Sequence, residues 1–142
     1  MSDYASIFQR AGEMGLGRTV HAGEARPPGE IATAILELGA DRIGHGATLL
    51  EDLEILALVR DRGVVIEACP TSNVHTGIFG AVSDHPLSIW MDHGVRVAVC
   101  TDNTFLSAVT LPEEMSRVME IPGLNQEKLC GLVETARAAV FT

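Results

Sequence analysis

The feature that most constrains this chain is an alternation of two kinds of segment at a period of about 30 residues. Short runs rich in β-branched residues end in Gly, His or Asp, and longer amphipathic runs follow them, closed by Gly or by a turn containing Gly. The pattern predicts strands over Arg18–Val20, Arg42–Gly44, Val64–Ala68 and Arg96–Cys100. It predicts helices over Pro28–Leu38, Leu49–Arg62 and Pro86–His93, then over Leu111–Glu120 and Gln126–Phe141, with Pro122-Gly123 breaking the last two apart. His21–Pro27 and the Ser-, Asn-, Thr- and Gly-rich stretch after Pro70 read as loops. Val64–Ala68 is nearly all apolar, as parallel strands covered on both faces are. Four βα units fit the 142 residues, a length that suits one domain over 1–142.

Two α/β architectures accept four such units in a row. One is a small doubly wound sheet; the other is half of an eight-unit barrel of the TIM type, which needs at least about 200 residues when complete. The reactive residues favour the half-barrel. His21, His45, the stretch Cys69–Asn73 and the pair Asp102-Asn103 all follow strand ends, and a (β/α) barrel carries its chemistry on the carboxyl ends of its strands. No GxGxxG and no GxxxxGK[ST] occurs, so a nucleotide-phosphate loop has no support.

Charge and composition narrow the partners. Ten basic against nineteen acidic residues leave a formal net charge of −9, a poor match for nucleic acid or an anionic membrane surface. With 46% apolar and 20% charged residues the chain can pack a core. The longest run free of Asp, Glu, Lys and Arg, Ala68–Ser83, contains Pro70, Asn73 and His75 and cannot span a bilayer. The start, Met-Ser-Asp-Tyr, shows neither the basic nor the apolar region of a secretory signal. Cys69, Cys100 and Cys130 are an odd number without CxxC spacing, which suits reduced thiols in a cytoplasmic protein.

His-Ala-Gly-Glu at 21–24 sets an imidazole and a carboxylate on one short segment, with Gly23 letting the backbone approach a ligand. Taken alone, the tetrapeptide fits a hydrogen-bonded His and a solvated Glu equally well. His45 lies between two glycines, which leaves its ring accessible. Asp102 closes an apolar strand, so its carboxylate needs a metal or a cationic partner. His and carboxylate donors without thiolate suit a catalytic zinc or a related divalent ion. His75, His85 and His93 read as structural or solvent-facing, Glu67 as an ion-pair partner of Arg42 within the sheet, and Cys69 and Cys100 as lacking the adjacent base a nucleophile needs.

Five segments in fixed order, Thr-Val-His-Ala-Gly-Glu at 19–24, Arg-Ile-Gly-His-Gly at 42–46, Cys-Pro-Thr-Ser-Asn at 69–73, His-Pro-Leu at 85–87 and Thr-Asp-Asn at 101–103, resemble the second half of the barrel of the adenosine deaminase family. The resemblance covers nearly the whole chain and implies (β/α) units 5–8 of a TIM-type barrel. It implies that His21 and Asp102 bind zinc, that Glu24 protonates N1 of the purine, and that His45 lies beside the reacting water. It implies for Asn103 and Gly23 contacts with the substrate, Asn103 standing where many members carry a second aspartate and donating to the purine N7. The implied reaction is zinc-dependent hydrolytic deamination of a 6-aminopurine nucleoside, adenosine to inosine and ammonia.

The family's His-x-His pair of the first strand has no counterpart, since no HxH occurs in the sequence. The resemblance therefore implies a site completed by a second polypeptide or a second copy. Two other readings are a non-catalytic half-barrel that binds purine or serves assembly, and a deaminase acting on adenine, a modified adenosine or aminodeoxyfutalosine.

Overall fold

A computed structural model describes residues 4–142; Met1 to Asp3, on which the reading of the chain start partly rests, lie outside the described residues. The chain runs α1 (Ala5–Glu13), β1 (Thr19–Ala22), α2 (Gly29–Leu36), β2 (Arg42–His45), α3 (Leu53–Asp61), β3 (Val65–Ala68), α4 (Pro70–His75), α5 (Leu87–Asp92), β4 (Arg96–Val99), α6 (Thr104–Ser107), α7 (Leu111–Arg117) and α8 (Gln126–Ala138). The four strands form one parallel sheet in the order β1-β2-β3-β4. A doubly wound sheet reverses its strand order at a switch point; this sheet never does, and sequential order is the barrel arrangement. All four carboxyl ends therefore lie on the same side of the molecule.

The period of two along each strand divides the sheet into unlike faces. Ala22, Ile43, Ile66, Ala68, Val97 and Val99 join the core beneath the helices, where Ile31, Leu56, Val59, Leu87 and Trp90 cover them. The opposite face carries Thr19, Arg42 and Glu67. Arg42 Nε lies 3.1 Å from Glu67 Oε1, and Thr19 Oγ1 donates to Glu67 Oε2 at 2.7 Å. The expected Arg42–Glu67 pair is thus present.

Several boundaries differ from the sequence pattern, each for a local reason. The segment Leu49–Arg62 is two elements: a 3₁₀ turn over Leu49–Glu51, then α3, which starts afresh because Asp52 is extended and its carboxylate accepts from Glu54 N and Ile55 N at 2.9 and 3.2 Å. Residues 70–75, expected as loop, form α4, with Pro70 at the first helical position where no N–H is required. α8 stops at Ala138, short of Phe141, as Arg42 Nη1 takes the Ala139 carbonyl at 3.1 Å and its guanidinium stacks 3.6 Å from the Phe141 ring. β1 starts at Thr19 and runs on to Ala22, so His21 belongs to a strand and not to a loop. α1, which the pattern did not call for, buries no residue. No helix among the described residues is long and apolar enough to cross a membrane.

Of the three histidines read as structural or solvent-facing, His75 and His93 are exposed and His85 is 2% exposed. His85 packs edge-on against Phe79 and Trp90, and its Nδ1 accepts from Leu87 N at 3.2 Å. Burial, with a smaller contribution from His45, pushes its pKa down to about 3. The unfolded chain then takes up a proton below about pH 6.5 that the folded chain refuses until near pH 3. Stability carried by His85 is full above pH 6.5 and falls as the pH drops. Urea unfolding at pH 7 and pH 5 should show about 2 kcal/mol more acid loss in the parent than in His85→Phe.

Candidate active site

Strand β1 brings His21 to the carboxyl edge of the sheet, and the chain turns at Gly23 toward Glu24. Gly23 is buried with φ +65°, and a Cβ there would meet Ile31 Cδ1 at 2.6 Å and Thr48 Oγ1 at 2.9 Å. Its carbonyl accepts from Thr48 N at 2.9 Å. Only glycine can close this turn, and the turn returns Glu24 to the mouth of the sheet.

Across the β1–β2 ladder, His21 pairs with Gly44. A Cβ on Gly44 would lie 2.5 Å from His21 Cδ2 and 3.0 Å from its Nε2, so the missing side chain is what seats the imidazole. His45 follows. By alternation it belongs on the helix side, but its backbone is left-handed at φ 68°. Its ring ends edge-on to His21, with centroids 4.7 Å apart.

His45 is 1% exposed and held at Nδ1. Asn73 Nδ2 donates to Nδ1 at 3.1 Å, so Nδ1 is an acceptor and the neutral ring carries its proton on Nε2. Nε2 faces Glu24 Oε2 at 3.8 Å. Burial holds His45 below the ordinary imidazole range, outweighing the opposing pull of the Glu24 carboxylate. The ligand atoms of His21, Glu24 and His45 lie within 4.8 Å of one another, a little wider than the separation of about 3.4 Å between ligands of a tetrahedral ion. The donor types at these strand ends, imidazole and carboxylate without thiolate, fit zinc chemistry.

Asp102 lies beyond the end of β4, with φ 54°. It lines the same cleft as His21, a space of about 430 Å³ that also takes in Gly44, Glu67, Cys69 and Cys100. The expectation that Asp102 is buried is corrected here. Asp102 is exposed, and its protein partner is the Ser72 hydroxyl, which donates to Oδ2 at 2.8 Å. Asn103 caps α6: its Oδ1 accepts from Phe105 N and Leu106 N at 3.0 and 2.9 Å. The remaining hydrogen-bonding capacity of that side chain is the Nδ2 donor.

Both thiols of the cleft are poor nucleophiles. Burial pushes the Cys69 thiol far up and raises Cys100 to about 11. Sequence reasoning set Ser72 and Asn73 in a stretch after a strand end and in one of the five family segments but gave neither a role; they hold Asp102 and His45.

Comparison with known proteins places this geometry. The adenosine deaminase family model matches residues 1–142. An adenosine deaminase of Escherichia coli O7:K1 is 37% identical over 126 residues, 89% of this chain and 38% of that protein. An N6-methyl-AMP deaminase from Arabidopsis thaliana superposes with a TM-score of 0.81 at 26% identity, over 94% of this chain and 39% of that one. An adenine deaminase from Arthrobacter aurescens superposes at 0.68 with 26% identity, over 96% and 48%. The chain belongs to the adenosine deaminase family. It spans little more than a third of the length of the curated relative, and its fold is an α/β half-barrel of the TIM type.

The seating of His21 over Gly44 is directly testable. Gly44→Ala should cost about 1–3 kcal/mol through the forced clash and shift the His21 ring resonances, read by chemical denaturation and by NMR. Unchanged His21 signals would show that the ring does not depend on the missing Cβ.

Proposed function

We propose that this chain supplies the carboxyl-end half of a zinc-dependent aminohydrolase site that deaminates a 6-aminopurine nucleoside, adenosine to inosine and ammonia. The observation that carries the reading is the convergence of His21, Glu24 and His45 at the strand ends, with Asp102 lining the cleft that His21 enters. His21 and Asp102 would hold the ion. Zinc supplies a Lewis acid that brings the pKa of a coordinated water toward about 7.

The residues of the chain divide the remaining work. Glu24, in its protonated form, donates to N1 and makes C6 electrophilic. With Nδ1 already accepting from Asn73, His45 keeps Nε2–H, on the side of Glu24, to orient the attacking oxygen by donation. Asp102, exposed and tied through only one oxygen to Ser72, is the group free to accept the proton. Asn103 Nδ2 donates to N7 while its Oδ1 stays locked in the cap, and Gly23 brings the backbone close to the substrate. Water adds at C6; the proton taken up by Asp102 passes to the amino group, which departs as ammonia, and the C6 hydroxyl returns a proton to Glu24, leaving the inosine carbonyl. The names of the two structural neighbours, an adenine deaminase and an N6-methyl-AMP deaminase, support a 6-aminopurine as the substrate class.

Two residues of the ligand set, His21 and Asp102, are fewer than the three protein ligands usual for catalytic zinc. Among the described residues, strands β1 and β4 each pair on one side only, and unpaired edges accept further strands. The remaining ligands come from further strands that join these edges.

The test is the loss of adenosine absorbance with zinc-supplemented chain. Glu24→Ala should abolish turnover and keep zinc, whereas His21→Ala should lose both; near-normal turnover in Glu24→Ala would remove Glu24 as the acid. Asn103→Ala should weaken purine binding by about 1–3 kcal/mol, measured by inhibitor titration. A folded chain that stays metal-free at micromolar zinc would leave a non-catalytic half-barrel.

A further inference from the structure

Glu114 is the one carboxylate among the described residues with no exposed surface, 0%, and the reaction proposed above gives it no task. Burying a carboxylate is costly unless donors compensate it. Both of its donors come from one residue. Thr71 N donates to Oε1 at 2.8 Å, and the Thr71 hydroxyl donates to Oε2. Arg117, one turn along α7, donates from Nη1 to Thr71 Oγ1 at 3.1 Å. A chain of charge-assisted bonds thus runs from α7 into the first turn of α4.

What Thr71 precedes makes this arrangement informative. The next residue, Ser72, donates to Asp102; the one after it, Asn73, donates to His45. All three are buried. α4 has only six residues, and its N-cap, Cys69, makes no side-chain cap bond. So short a helix does not hold itself, and one of its orphan N–H groups is taken by a carboxylate from 43 positions away. A displacement of Thr71 would carry Ser72 and Asn73 with it.

We propose that Glu114 is a positioning residue: through Thr71 it fixes the register of α4, and so sets the Asn73–His45 and Ser72–Asp102 hydrogen bonds. The inference rests on the reading of His45 and Asp102 as site residues. Its readout does not require turnover.

The experiment is NMR of the full chain without metal, following the Asn73 side-chain amide and the His45 ring nitrogens. In Glu114→Ala the Asn73 amide protons should collapse toward free-amide positions and His45 Nδ1 should lose its acceptor shift. Glu114→Gln keeps an oxygen for Thr71 N and should restore both signals. A folded Glu114→Ala with a lower melting temperature but unmoved Asn73 and His45 signals would overturn the proposal, as would a Glu114→Gln as disrupted as the alanine variant. If Glu114→Ala does not fold, Thr71→Val, which drops the hydroxyl and keeps shape, decides: the same two signals should move partway, and unmoved signals overturn it. In active protein, Glu114→Ala should lower kcat about 10–100-fold with KM nearly unchanged. Absence of turnover once the site is completed would sink the proposed reaction alone, since the NMR arms need neither zinc nor substrate.

Discussion

The parallel ladder of four short strands is the constraint on which everything else depends. The pairings Thr19↔Arg42, Arg42↔Val65 and Val65↔Arg96 set a common starting line, so His21, His45 and the Asp102 segment arrive at one edge without any long connection having to reach for it. The ladder also fixes which side chains share a face. A slip of one residue in β1 would turn His21 under the helices and bring Ala22 into the cleft. Precision at the site is thus inherited from backbone hydrogen bonds, and side-chain contacts refine it.

The two faces of the sheet divide the energetic labour. The helix side is apolar and close-packed around Trp90, Leu87 and Ile66 and supplies most of the driving force for folding. The other side bears Thr19, Arg42, Glu67 and the cleft, where burial is incomplete and polar pairing decides the order. Tail residues 139–141 are drawn across the amino end of this face by Arg42. The chemistry therefore lies on the face that contributes least to stability, and substitutions there can change function with small effect on the fold.

Much of this was legible in the sequence because period and punctuation are local. The four strands, the Arg42–Glu67 pair and the grouping of His21, Glu24 and His45 followed from runs, glycines and positions after strand ends. What escaped depends on partners distant along the chain. α4 read as loop because Thr71, Ser72 and Asn73 favour turns in isolation, and the groups that hold them, Glu114, Asp102 and His45, lie 43, 30 and 28 positions away. Asp102 was expected to be buried because the strand before it is apolar. The strand ends at Val99, three residues short of it, and the left-handed turn carries the carboxylate into solvent. The helix break at Asp52 was available from its capping preference alone, and the hydrophobic period ran over it.

The left-handed backbones at His45 and Asp102 set durability against use. Either residue holds a conformation that costs an L-amino acid about 1–3 kcal/mol and glycine almost nothing. A population of variants selected only for resistance to heat or protease would thus drift toward glycine at exposed Asp102 and grow sturdier as it lost the carboxylate, whereas buried His45, bonded to Asn73, repays its strain by packing. Where a lineage keeps Asp102 despite that gradient, something other than folding is being maintained.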